Sequence, residues 1–177
     1  MNSQRGFTLL ELLVAVAVAA ILVLQAVPAF GSFFNGSLTS VQVNEFVSDI
    51  QLARSEALKR NGRVSVCPTS DGSKCSGSSD WATGWLVFTD TTGTRGDFDG
   101  TDELIIVREG VKGNIALNSG GDTSIQFLSS GYTSNYNDAS ASNVSFTMKP
   151  MSCEGMNQRE IVITRYGHLA LTKTDCS

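Results

Sequence analysis

From Leu12 to Leu24 the chain carries no polar side chain, and across Phe7 to Phe30 only Thr8, Glu11, Gln25 and Pro28 interrupt the apolar run. A helix rising about 1.5 Å per residue over that stretch crosses a hydrocarbon core of about 30 Å. The pattern then changes. Val43, Phe46, Ile50, Ala53 and Ala57 recur at three- and four-residue intervals, which puts them on one face of a helix, and Asn61-Gly62 supplies a stop signal. After Gly62 come short β-rich runs at 63–67, 85–89, 103–109, 114–118, 124–128, 143–148, 160–164 and 168–172, separated by Gly, Ser, Asn and Asp. This pattern predicts an α+β protein. A long N-terminal helix, transmembrane in its first half and amphipathic in its second, packs on an antiparallel β-sheet globular body. Pro28 is expected to break or loosen the helix, because it lacks an amide donor and crowds the preceding turn.

Two polar loops lie in the body, at 69–84 and 129–143. The second reads as a solvent loop. Trp81 and Trp85 flank a turn at Thr83-Gly84. Trp85 is expected in the core and Trp81 at a contact surface. Arg54, Glu56 and Lys59 fall on or beside the wet face of the amphipathic helix.

With 177 residues, the chain has enough length for one domain plus an appended segment. Its net charge of −4 lacks the basic excess of a bulk nucleic-acid binder. Four cysteines, Cys67, Cys75, Cys153 and Cys176, occur with no Cys-x-x-Cys and one histidine, His168, so the spacing argues against zinc and for two disulfides in an oxidising compartment. Of the three possible pairings, loop closure favours Cys67 with Cys75, which leaves Cys153 with Cys176. No nucleophile elbow, P-loop or dinucleotide fingerprint is present, so neither an enzyme nor a cofactor is expected. The sharpest metal candidate is a calcium site at Asp97, Asp99, Asp102 and Glu103, since hard cations take oxygen ligands. Its spacing is not that of an EF-hand, and a solvated turn built on Gly93, Gly96 and Gly100 is the competing reading.

Glu11 decides how the apolar run is read. Arg5 before the run keeps the extreme N-terminus cytoplasmic and sends the rest across. An ordinary secretory signal has an acid-free middle and ends at a small-x-small site, whereas here Glu11 interrupts the middle and no such site follows Leu24. "RGFTLLELLVAV", residues 5 to 16, resembles the class III signal of type IV pilins and pseudopilins. That resemblance implies a leader at 1–6, a transmembrane and filament-core helix at 7–34, an amphipathic helix at 35–61 and a periplasmic β-rich domain at 62–177. It further implies cleavage by a prepilin peptidase between Gly6 and Phe7, N-methylation of Phe7, and pairing of the new amine with Glu11 of a neighbouring subunit.

The body resembles the GspH/FimT group through "ARSEALKRNGRVSVCPTSDGSKC" (53–75), "DWATGWLVFTD" (80–90), "DFDGTDELI" (97–105), "FLSSGY" (127–132) and "ITRYGHLAL" (163–171). Three roles follow from that group. The first is a FimU-like minor pilin that primes a type IV pilus. The second is the pseudopilin H of type II secretion, and the third is a FimT-like DNA-uptake receptor. The DNA-binding members carry Gly-Arg-x-Arg where this chain has Gly167-His168-Leu169-Ala170, so both arginines are missing. Arg159, Arg165 and Lys173, with Lys149, are the remaining candidates for weak phosphate contact. The implied partners are other minor pilins, the major pilin, the peptidase and the inner-membrane assembly platform, with DNA not expected. The implied location is the inner membrane, single-pass with the body in the periplasm, and then a pilus or pseudopilus.

Overall fold

The computed structural model describes residues 8–91, 94–134, 143–153, 155 and 157–176, with side chains described outside 24–35. The chain divides into two compact units, Met1–Asn35 and Gly36–Ser177.

Helix α1 runs from Leu9 to Arg60. Its start is capped by Thr8, whose hydroxyl accepts from the Glu11 amide at 3.3 Å while its carbonyl accepts from Leu12 at 3.2 Å. The helix does not end at Pro28 but continues through that position. A proline forfeits its own amide bond, but the ladder on either side can persist when neighbouring turns hold. The C-terminus closes as a Schellman motif. Asn61 takes a left-handed φ of 48°, its amide donates to Leu58 at 3.3 Å, and the Gly62 amide donates to Ala57 at 3.1 Å.

The body holds two four-stranded antiparallel sheets. One contains β1 (Val64–Pro68), β2 (Gly84–Thr89), β3 (Leu104–Glu109) and β5 (Ile125–Phe127), in the order β3-β2-β1-β5. The other contains β4 (Ile115–Asn118), β6 (Val144–Pro150), β7 (Gln158–Ile163) and β8 (Leu169–Thr174), in the order β4-β6-β7-β8. Both sheets share one core with the helix, whose Val43, Phe46, Ile50, Ala53 and Ala57 are all buried. Phe46 sits at its centre, edge-on to Trp81, Trp85 and Phe146 with ring centroids 6.0, 5.1 and 4.9 Å away. The two alanines leave room for the helix backbone to approach the sheets.

Strands β1 and β2 are buried on both faces. Their second face packs Cys67, Leu86 and Phe88 against Cys75 and Phe98, beneath the loop that the Cys67–Cys75 disulfide closes. A second disulfide joins Cys153 to Cys176, tying the C-terminal residues to the β6–β7 connection. One correction concerns Trp81. It lies in the core and not at a contact surface, fully buried like Trp85, because its indole amide reaches the Asp122 carbonyl at 3.1 Å and its ring meets Phe146 at 5.0 Å.

Candidate assembly site

The N-terminal unit presents an apolar surface. Leu9 is 77% exposed, and every described side chain from Thr8 to Val23 is exposed. Among the described residues no helical stretch is long and apolar enough to cross a membrane. Glu11 falls in the first turn of α1, where the helix dipole favours an acid. Thr8 and Glu11 also stand at the spacing of a capping box, a signal that the sequence reading passed over. Gly6 and Phe7 lie outside the described residues.

Within the body, three polar clusters join distant parts of the sequence. Asp49, 2% exposed, accepts from Trp85 Nε1 at 3.0 Å and takes a bidentate contact from Arg108 at 2.7 and 3.0 Å. Glu45 stands 3.6 Å from the same guanidinium. The Asp49 carboxylate, more than any other group, holds the Arg108 pKa above its ordinary value. Asp90, also 2% exposed, is satisfied by neutral donors, with Ser65 Oγ and Gln126 Nε2 at 2.5 Å and the Gly96 amide at 2.7 Å. It ties β1 and β5 to the start of the acidic turn.

The third cluster is centred on Arg54, which is half-buried beside the wet face. Its Nε donates to the Gly131 carbonyl at 3.0 Å and its Nη2 to the Tyr166 carbonyl at 3.2 Å, clamping two loops from distant parts of the sequence. Gly167, at φ 72°, lies so close to the Gly131 carbonyl and to Arg54 that no β-carbon fits there. The Thr133 amide donates to the Arg165 carbonyl at 3.0 Å, which fixes the described part of the 129–143 loop to the β7–β8 turn. The solvent-loop reading is therefore corrected for Gly131, Thr133 and Ser134, which are buried, while Ser129, Ser130 and Tyr132 are exposed and residues 135–142 lie outside the described set. No periodicity signals these contacts, because each joins residues far apart in sequence.

The model of the family described as type II transport protein GspH matches residues 42–167. The chain belongs to the GspH family. A prokaryotic N-terminal methylation motif matches residues 1–24, which marks a prepilin-type start to this GspH-family protein. No curated protein matches the chain. The type IV minor pilin FimU of Pseudomonas aeruginosa has a similar fold, with a TM-score of 0.58 at 16% identity over 75% of this chain and 87% of FimU. A second crystal form of FimU gives 0.56 at 16% identity, over 75% of this chain and 91% of FimU. The minor pseudopilin EpsH of the Vibrio cholerae type 2 secretion system gives 0.50 at 15% identity, over 76% of this chain and 96% of EpsH. This GspH-family chain thus shares its fold with a minor pilin and a minor pseudopilin.

The two weaker candidate sites come apart in the structure. Arg159 pairs across strands with Met148 and Lys173, which puts Arg159 and Lys173 on the helix-facing side of the second sheet, and Arg159 reaches Ser40 Oγ at 3.2 Å. Lys149 alternates to the other face. Arg165 lies beyond β7, in the turn before β8, with its guanidinium carbon 4.9 Å from the Tyr166 ring centre. Arg159 and Lys149 therefore face opposite sides of the sheet. The four carboxylates of the calcium candidate are likewise not gathered, and among the described residues no cluster of three or more metal-ligating side chains exists. Glu103 pairs with Arg60 at 2.6 Å, Asp99 accepts from Thr101, and Asp102 accepts from the amides of Thr91 and Asp99. These bonds build the turn, which is why the acids cluster in the sequence.

Proposed function

We propose that this GspH-family protein is a minor pilin that primes assembly of a type IV pilus and is incorporated into it. In this reading the precursor spans the inner membrane once with its body in the periplasm, and the prepilin peptidase cuts after Gly6 and methylates Phe7. The helix then packs among those of other minor pilins and the major pilin on the assembly platform. The observation that carries the reading is Glu11, an acid in the first turn of a helix whose apolar side chains from Leu9 to Val23 are all exposed. A carboxylate in a bilayer costs about 2.5–3.5 kcal/mol on insertion scales, so it persists where a cation meets it. The Phe7 amine created by cleavage supplies that cation from a neighbouring subunit and sets the axial register.

The two disulfides favour the pilus, since a subunit at an exposed filament tip gains from a clamped loop and a tethered C-terminus. The second reading, pseudopilin H of type II secretion, is favoured by the family description itself. A FimT-like receptor is the weakest of the three, because Gly167-His168-Leu169-Ala170 lacks both arginines of the DNA-binding motif.

The deciding measurement is the amount of pili sheared from a strain lacking the gene, beside a complemented strain. Restorable loss of pili is expected. Normal pili would overturn the pilus reading in favour of secretion.

A further inference from the structure

Strand β8 is the outer strand of its sheet, and its burial pattern is the most open of the second sheet's strands. The Thr164 amide donates to the His168 carbonyl at 2.8 Å, so strand alternation turns the amides and carbonyls of Leu169, Leu171 and Lys173 away from β7. Two other sheet edges carry a bridging residue. Thr133 bridges to Phe127 beside β5, and Asp80 bridges to Asn118 beside β4, with the Trp81 amide on the Leu117 carbonyl. The β3 edge is open too, but Arg108 there is already engaged with Asp49 and Glu45.

Next to the start of β8 is a groove of about 410 Å³, walled by Gln51, Arg54 and Leu58 of α1 and by Phe127, His168 and Leu169 of the strands. Cross-strand pairing with Ile161 puts Leu171 on the core-facing side of the sheet, yet it is 45% exposed, because nothing described covers that side at the edge. No Asp or Glu lines the groove. The guanidinium of Arg54 in its wall donates to two carbonyls and meets no carboxylate among the described residues. The groove therefore offers a backbone edge, apolar floor and a positive charge with no counter-ion, in a chain whose net charge is −4.

We infer that β8 and this groove receive an extended, carboxylate-bearing segment of another filament subunit, which adds as a strand along Leu169–Thr174 and aims its acid at Arg54. Main-chain hydrogen bonds to Leu169, Leu171 and Lys173 supply the grip, and the acid supplies selectivity. The inference rests on the filament-subunit reading above, but not on the choice between pilus and pseudopilus.

The test uses the full chain in its own host. Benzoylphenylalanine replacing Leu171, and as a control replacing Ser145 on the exposed face of β6, is photo-cross-linked, and the attached peptide is sequenced. The expected result is an Asp- or Glu-containing peptide of a different pilin-like subunit at position 171 and none at 145. In parallel, Leu171→Pro removes one outward amide while leaving the inward ladder intact, a change that edge strands tolerate. It is expected to keep both disulfides and the melting temperature while lowering incorporation into the filament about tenfold, the effect of one lost interface hydrogen bond. A cross-link only to lipid, only to a second copy of this chain, or to nothing would overturn the proposal. So would wild-type incorporation of a folded Leu171→Pro variant. If deletion of the gene leaves pili normal, the pilus reading fails by itself, and the cross-link at Leu171 still decides the groove against a pseudopilus subunit.

Discussion

The helical stretch Leu9–Val23 and the paired strands β1 and β2 are both largely apolar, and their surroundings are opposite. Leu9, Leu13 and Ile21 are 77%, 60% and 57% exposed, while Val66, Leu86 and Val87 are completely buried. Water penalises both surfaces by the same mechanism, at about 25 cal/mol per Å². In the strands that penalty is removed within the chain, by the helix on one side and the disulfide-closed loop on the other. In the N-terminal unit it is left for something else to remove, and a large exposed apolar surface of this kind marks a membrane or protein contact. The comparison teaches that the body is a finished fold, whereas the helix end is one half of an interface.

The sharpest way to break the comparison is to change Glu11. Glu11→Ala should leave prepilin processing and the melting of the body unchanged while abolishing incorporation into filaments, read by immunoblot of sheared material. Normal incorporation of that variant would remove the role assigned to the carboxylate. Replacing Gly6 should act one step earlier and block processing. In the body, Phe46→Ala should cost about 4 kcal/mol in urea unfolding, since it opens a cavity among Trp81, Trp85 and Phe146. Leu13→Ala, equally apolar, should leave body stability where it was; a comparable loss would mean that the two stretches are not in opposite situations. Asp49→Ala should cost about 3 kcal/mol, leaving the Trp85 indole amide and the Arg108 guanidinium without their carboxylate.

How far these features were legible differs with their range. The five-residue stripe from Val43 to Ala57 and the eight strands repeat locally, so periodicity exposes them before any tertiary contact is known. The Asn61-Gly62 stop is equally local. Trp81 misled because it lies in a polar loop, and the ring that buries it, Phe146, is far along the chain. The acidic turn at 97–103 looked like a ligand set because composition cannot tell carboxylates that share one centre from carboxylates that each serve a different amide. The Arg54 clamp was hidden for a related reason, since its acceptors are backbone carbonyls, which every residue has and no sequence marks.

The smallest effect concerns pH. Glu103 sits below its ordinary 4.5 because Arg60 donates to it, and Glu56 is lowered by Arg60 first and Lys59 second. A carboxyl whose pKa is lower in the folded state binds fewer protons folded than unfolded, so its stabilisation is full above the unfolded value. It fades as pH falls from about 4.5 through the lowered folded value. Asp122, raised by burial, works in the opposite sense across its own window, since it gains a proton more readily when folded. Glu103 is open to water, with 65% of its side chain exposed, so salt screens its pairing with Arg60 and its share of stability is slight. Glu103→Gln should therefore leave the melting temperature at pH 7 nearly unchanged and make its decline below pH 4.5 shallower, with the difference from wild type shrinking in high salt. An equally steep acid decline in that variant would place the pH sensitivity elsewhere in the body, with the lowered Asp71 and Asp99 of the two turns as the next carboxyls to replace.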